Sequence, residues 1–339
     1  MLFNYLMIKN YPNKQDKYVY PLIIHEKDKD RVIVTYNKDN NGYKLRSFHE
    51  RFLKQLKKYP SSKYSYAYKK GYCTKDAILD HLNSTLFIKL DIKSFFESIN
   101  FDSFVNETKD VKLKEKKLKC CFYDNHLSLG FVTSPQISDM YLYKFDLKME
   151  EFLETHPTCK YSRYCDDILI STTDKDYRRL HIFLSYIKDE LYKYNLTIND
   201  KKVREFDLKK DTAVSFLGLN ISPSCNGGNK ITISKLFILK TLDLLKHYYK
   251  YLDKEDDKQI LKERFKYIKE KNLKEKDPYV IETKRLHQEY KKNYNINYKR
   301  VLFSTRSSRI SYIKHNSEYS YEKFLQKHFN KFGFAWKSK

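Results

Sequence analysis

Tyr164-Cys165-Asp166-Asp167-Ile168-Leu169-Ile170 sets two adjacent acids inside an otherwise apolar run. Like charges repel and burial disfavours ionisation, so a folded chain keeps such a pair only where something offsets the cost. A divalent cation can do so, because Mg2+ takes hard oxygen ligands from a few carboxylates together with substrate phosphates. A second stretch, Phe87-Ile88-Lys89-Leu90-Asp91-Ile92-Lys93-Ser94-Phe95-Phe96, ends an apolar strand in a third acid and follows it with two aromatics. Three carboxylates converging from two strands would hold two such ions, the arrangement that stabilises in-line displacement at phosphorus. An Asp-Asp pair alone is commonplace and most are solvated turns, so the surrounding segments decide.

Those segments read as alternating strands and helices. Tyr161–Thr173 forms two short strands about the Asp166–Asp167 turn, and a helix follows over about Lys175–Tyr194. Leu86–Asp91 is a compact apolar run suited to a buried strand with an acid at its tip. Pro135 opens a helix whose Ile137, Met140, Tyr141, Phe145, Met149 and Phe152 share one face. Upstream, Val19–Ile24 and Arg31–Tyr36 read as strands and Ser47–Tyr59 as a basic amphipathic helix. Downstream, Ser215–Ile221 reads as an apolar strand and Cys225–Gly228 as a turn. From Ser234 the character changes: Leu242, Leu245, Tyr249 and Leu252 recur at helical spacing with charges between them. Two domains are expected, residues 1–233 and a helical, basic 234–339.

The 339 residues can bury a substantial core. Lys and Arg number 67 against 43 Asp and Glu, a formal charge of +24, which favours a polyanionic partner because each neutralised phosphate releases counterions. No run approaches the roughly 18 apolar residues of a membrane span. Met1–Tyr11 lacks the charged start, apolar core and cleavage site of a signal peptide. The expectation is a soluble, cytoplasmic protein with no membrane partner. Six cysteines form no C-x-x-C pair, so neither a zinc site nor a disulfide framework is indicated.

Taken in order, these motifs resemble those of the reverse transcriptases, within them the bacterial enzymes related to retrons and group II introns and especially the defence-associated ones. Tyr66-Ala-Tyr-Lys-Lys-Gly-Tyr72 through Asp91 resembles the lead into the first catalytic strand, and Asp91 with Phe95-Phe96 resembles motif A. Gly130-Phe-Val-Thr-Ser134-Pro135 followed by Ile137-Ser138 resembles motif B, and Tyr164-Cys165-Asp166-Asp167 is the Y-x-D-D of motif C. Leu196-Thr-Ile-Asn199-Asp-Lys-Lys202 resembles motif D, and Phe216-Leu217-Gly218 the primer-grip hairpin.

The resemblance implies an α+β, right-hand polymerase: fingers, a palm of antiparallel sheet packed on helices, and a mainly helical thumb. It implies an RNA-directed DNA polymerase that extends a DNA strand with deoxynucleotides by a two-metal mechanism, in a bacterial antiviral defence system with an associated RNA. Asp91, Asp166 and Asp167 would bind two Mg2+ ions, with Mn2+ able to substitute, and Lys202 would protonate the leaving pyrophosphate. Phe96 would reject a ribose 2′-hydroxyl, and Leu129 and Gly130 would shape the nucleotide pocket. Arg31, Lys69 and Lys70 are candidates for gripping the triphosphate. Phe216, Leu217 and Gly218 would hold the primer, while Lys284, Arg285, Lys291, Lys292, Arg300, Arg306 and Arg309 would meet duplex phosphates. Implied partners are an RNA template of non-coding type, the DNA product, deoxynucleotide triphosphates, and a partner protein or a second copy.

Several positions depart from the pattern. Leu129 stands where most relatives carry Gln, and Asp139 where they carry Asn. Of the retron segment Asn-Ala-x-x-His only His81 matches, and the retron Val-Thr-Gly is replaced by Phe216-Leu217-Gly218-Leu219. An RNA-dependent RNA polymerase shares the paired acids, but Phe96 argues against room for a ribose. A catalytically inactive palm serving as a nucleic-acid-binding module would gain nothing from three clustered acids facing phosphates.

Overall fold

The computed structural model describes residues 8–10, 17–25, 30–225, 227–272, 274–275, 279–284, 307–316, 323–324 and 326–327. The elements begin with β1 (Ile8–Asn10), β2 (Val19–His25), β3 (Asp30–Tyr36), α1 (Asn40–Leu56), α2 (Asp76–Leu79) and β4 (Leu86–Asp91). They continue with α3 (Phe95–Ser98), α4 (Phe101–Glu107), α5 (Glu115–Lys119), β5 (Phe122–Tyr123), β6 (His126–Leu127), α6 (Ser134–Tyr141) and α7 (Tyr143–Thr155). Then come β7 (Cys159–Tyr164), β8 (Asp167–Thr172), α8 (Arg178–Lys193), β9 (Arg204–Asp207), β10 (Val214–Phe216), β11 (Leu219–Pro223), β12 (Asn229–Ile233) and α9 (Lys235–Glu270). This is an α+β architecture.

Its centre is a four-stranded antiparallel sheet in the order β7-β8-β4-β9. Phe87, Ile88 and Leu90 of β4 and Ile168, Leu169 and Ile170 of β8 are fully buried, as expected of strands covered on both faces. Helices α7 and α8 pack on this sheet and on each other. They contribute Phe145, Met149, Phe183 and Ile187 to the principal core. A second antiparallel sheet, β1-β2-β3, lies upstream, and β10-β11-β12 form a third. The chain divides into two compact units: Met1–Leu217 with Ile221–Ile231, and Gly218–Asn220 with Thr232–Lys339. Within the second unit Phe237 stacks on Tyr312 at 4.1 Å, and Leu242, Leu261, Val280 and Ile313 are buried. Among the described residues no helix is long and apolar enough to cross a membrane.

Three elements differ from the sequence reading. Helix α1 starts at Asn40 rather than Ser47, because the Asp39 carboxylate accepts from the Gly42 N–H at 2.8 Å and caps it seven residues early. The single helix expected from Pro135 is two, α6 and α7, interrupted at Leu142 where ψ is 8°. Upstream of the break Ser138 turns its hydroxyl onto the Pro135 carbonyl, a bond that bends helices. The strand expected over Ser215–Ile221 is a hairpin, because Leu217 and Gly218 both take positive φ, 52° and 82°. That pair of angles is the signature of a two-residue I′ turn.

Candidate active site

The site is built on the pairing of β4 with β8, in which Asp91 lies directly opposite Asp167. The Asp166 carbonyl accepts from the Ile92 N–H at 2.9 Å, so the backbones of all three acids are tied together at one end of the sheet. Asp166 sits in the two-residue turn joining β7 to β8, after Cys165, which holds φ at 62°. A non-glycine residue at positive φ costs roughly 1–3 kcal/mol and persists only where its surroundings enforce it. Here they do. The Tyr68 hydroxyl donates to Cys165 Sγ at 3.1 Å, and Arg163 Nη1 lies 3.3 Å from the Cys165 carbonyl.

Two lysines face the acids. Lys202, on the short turn Asp200–Lys202, places Nζ 2.6 Å from Asp91 Oδ1. Lys89, two residues before Asp91 and so on the same face of β4, places Nζ 3.8 Å from Asp167 Oδ1. Lys89 also lies over the Phe216 ring, 5.6 Å from its centroid, which links the buried Phe216 to the site. Burial pushes the Asp167 carboxyl up to about 6; Lys89 opposes that shift, and Asp166 and Asp91 add to it. Among the described residues no three His, Cys, Asp or Glu side chains are gathered to hold one ion as they stand. The donor set nonetheless suits a hard cation: oxygens only, one of them reluctant to ionise, with ammonium groups supplying the positive charge. Binding an ion at Asp91 means exchanging Lys202 for it.

Beneath the turn lies a buried ionic network. Arg163 is 1% exposed and grips Asp146 through Nε (2.9 Å) and Nη2 (2.6 Å), while Nη2 also reaches Asp139 at 3.0 Å. Ser61 and Ser65 donate to Asp139, and Tyr161 donates to Asp146 at 2.7 Å. Burial opposes the Asp139 charge, but Arg163 and the two serines outweigh it and hold the carboxyl below its ordinary value. An Asn at 139 could not supply that charge, which accounts for one departure from the family pattern. His81 is also fully buried, with Nδ1 2.6 Å from Ser171 Oγ and Nε2 3.0 Å from Ser162 Oγ. Ser171 donates its hydroxyl hydrogen to Ser84 Oγ at 2.8 Å, which leaves the Ser171 oxygen to accept from Nδ1–H. Burial lowers the His81 pKa to about 3. His81 thereby pins the segment before β4 to both strands of the Asp166 hairpin.

The other sequence candidates fall as follows. Phe95 and Phe96 are both buried, 3% and 9% exposed, with rings 5.4 Å apart in the principal core. The Leu129 carbonyl accepts from the Val34 N–H at 2.8 Å. Gly130 has φ 111°, and a Cβ there would fall 2.2 Å from the Val34 carbonyl oxygen, so only glycine permits this approach to β3. Arg31 belongs to β3, opposite Ile24. Lys69 is committed to the Ser62 carbonyl, and burial lowers its pKa, while Lys70 is exposed. In the second unit Lys284 pairs with Glu275 at 2.8 Å and Arg309 lies over Phe237 at 4.2 Å, so neither is an unengaged cation. Arg285, Lys291, Lys292, Arg300 and Arg306 lie outside the described residues. Sequence reading missed Lys89, Arg163 and Tyr68. Only Lys89 carried a signal, its two-residue spacing from Asp91.

The model of the reverse transcriptase (RNA-dependent DNA polymerase) family matches residues 30–221, and the chain belongs to that family. It is 31% identical over 140 residues to the retron Ec73 reverse transcriptase of Escherichia coli, covering 36% of this chain and 44% of that protein. It is 28% identical over 154 residues to the retron Ec83 reverse transcriptase of the same organism, covering 40% and 48%. The chain thus spans about half the length of these curated relatives. A solved structure of telomerase from Candida tropicalis with a fragment of telomeric RNA superposes with TM-score 0.48 at 15% identity, over 95% of this chain and 58% of that one.

Proposed function

We propose that the protein is an RNA-directed DNA polymerase that extends a DNA strand with deoxynucleotides. The observation that carries this reading is the register of β4 and β8, which sets Asp91 against Asp167, with the Asp166 carbonyl bonded to the next residue of β4. When bound, two divalent ions, Mg2+ by preference or Mn2+, would lower the pKa of the attacking 3′-hydroxyl and stabilise charge on the α-phosphate. Asp91, Asp166 and Asp167 would hold them. Released from Asp91, Lys202 would serve as the proton donor to the leaving pyrophosphate. Phe96 bars the 2′-hydroxyl, with Leu129 and Gly130 beside it. Arg31, Lys69 and Lys70 draw the triphosphate.

In this reading the unit Met1–Leu217 with Ile221–Ile231 comprises fingers and palm, and the second unit is the thumb. Phe216-Leu217-Gly218 hold the primer end, and basic residues after 280 meet the duplex. The template is an RNA of structured, non-coding type, and the physiological setting is bacterial antiviral defence. What supports the setting is the departure of Leu129 and Asp139 from the family pattern, together with Ala77-Ile-Leu-Asp80 and Phe216-Leu217-Gly218-Leu219 in place of the retron segments. The test of the activity is extension of a DNA primer on an RNA template with Mg2+ or Mn2+. Incorporation by the wild type and none by Asp166→Ala is expected, and extension by Asp166→Ala would overturn the reading. Sequencing the nucleic acid that copurifies with the protein identifies the template.

A further inference from the structure

A second basic feature lies apart from the acids. Between the end of α1 and the start of α5 is a cavity of about 230 Å3 walled by Lys58, Lys112, Lys114 and Lys117, with Phe52 and Tyr59 among its apolar lining. Phe52 is 3% exposed, and Tyr59 packs against the principal core, so the floor is rigid. Some lysines of this unit pair with acids, as Lys144 does with Asp110 at 2.9 Å, Lys148 with Glu151 at 2.7 Å and Lys188 with Asp200 at 2.7 Å. The four around the cavity have no acidic partner among the described residues, and the nearby Glu115 does not line it. Lys58, just past the end of α1, could be accounted for by the helix dipole. Lys112 and Lys114 precede α5, an end where positive charge is disfavoured, so the dipole does not account for them.

Four ammonium groups give this one small cavity a basic rim, which attracts an anion. At about 230 Å3 the cavity falls below the roughly 300–1,000 Å3 typical of sites for free small molecules, a size that suits one piece of a larger chain. We propose that this pocket binds an unpaired nucleotide of an RNA, its base on the half-buried Tyr59 above the buried Phe52 and its flanking phosphates on Lys58, Lys112, Lys114 and Lys117. Loops and bulges of structured RNA present such bases, and proteins read them by stacking on aromatics beside a basic wall. The pocket shares no residue with the acidic site, so it is an anchor for RNA outside the polymerase centre.

The test is equilibrium binding of the full chain at several salt concentrations to two probes, a stem-loop RNA with an unpaired loop and the same stem as a blunt duplex. Replacing Lys58, Lys112, Lys114 and Lys117 together by Gln should reduce the salt slope for the stem-loop by about 2–4 and weaken its binding at least about tenfold. The blunt duplex should lose less, and extension of a short DNA-primed template should be unchanged, which separates this inference from the polymerase reading. Tyr59→Leu should weaken the stem-loop without altering its salt slope. An unchanged slope, or equal loss on both probes, overturns the proposal. So does displacement of the stem-loop from the wild type by polyglutamate at lower charge concentration than by the blunt duplex, which would mark a protein-docking site. Should the quadruple variant not fold, a stem-loop carrying 4-thiouridine in its loop is photocrosslinked to the wild type. Adducts on Tyr59 or Phe52 support the pocket, and adducts confined to other segments refute it.

Discussion

Arg163 and Asp146 form a two-pronged ion pair with Nε–Oδ1 2.9 Å and Nη2–Oδ2 2.6 Å, neither side chain more than 1% exposed. Asp139 shares the same guanidinium, so two buried carboxylates depend on one cation. Removing the charge from such a group leaves its partners uncompensated, a loss of about 3–5 kcal/mol. Arg163→Met should lower the urea midpoint accordingly. Arg163→Lys should recover only part of it, since an ammonium cannot make the fork. Both variants should also lose polymerase rate out of proportion to stability, because the Cys165 carbonyl loses its guanidinium donor.

Asp167→Asn should behave in the opposite sense in metal-free buffer. The folded state resists ionising this carboxyl, so removing the charge at pH 7.5 should stabilise the fold by about 1–3 kcal/mol. Mg2+ should raise the melting temperature of the wild type and not of the variant. Polymerase activity should fall at least about a thousandfold, the loss of several kcal/mol of transition-state stabilisation. Equal metal response in both proteins would move the ion site elsewhere.

His81 makes stability depend on acid. Its folded pKa, about 3, lies below the unfolded value near 6.5 because burial penalises the imidazolium, and Lys160 nearby acts in the same direction. The unfolded chain therefore binds a proton that the folded chain refuses, and stability falls as pH drops below about 6.5, by up to ~1.4 kcal/mol per unit. Urea midpoints measured from pH 7 to pH 4.5 should decline more steeply for the wild type than for His81→Gln.

Gly130→Ala should cost about 2 kcal/mol or more, since the residue holds φ at 111° and its new methyl would press on the Val34 carbonyl. Hydrogen exchange at the Val34 amide, which donates to Leu129, should accelerate with it. Retained protection at that amide would show that the loop moves without releasing β3.

Phe96→Val should admit ribonucleotides, narrowing the preference for deoxynucleotides by at least about tenfold while metal-dependent chemistry survives. Because Phe96 is 9% exposed and packed, a loss of roughly 1–3 kcal/mol in stability should accompany the change. An unaltered preference would make Phe96 a core residue alone and turn attention to Phe95.

Much of this was legible before any coordinate. Leu86–Asp91 is apolar apart from Lys89 and terminates in an acid, so its limits as a strand show in the residues themselves. The apolar halves around Asp166–Asp167 make a hairpin the only economical reading, and it forms. The start of α1 was hidden because Asn40-Asn41-Gly42 has turn composition, and only the Asp39 cap reveals a helix. Arg163 looked like an ordinary strand cation because its partners, Asp139 and Asp146, lie on other elements. Tyr68 was invisible for the same reason: its bond to Cys165 joins residues 97 apart in sequence. Side-chain partnerships across elements are a product of topology, which local pattern does not encode.

The central position of β4 has a consequence for the chain as it is made. Both neighbours of this strand, β8 and β9, lie downstream of it, and the register partner of Asp91 follows 76 residues later. At a synthesis rate of about 5–20 residues per second, β4 emerges and waits roughly 4–15 s with both hydrogen-bonding edges bare. An apolar strand with open edges is a template for pairing with another copy of itself. Polysomes crowded with nascent chains are therefore a hazard for this protein, and slower initiation or a chaperone on the ribosome should raise the yield of folded molecules.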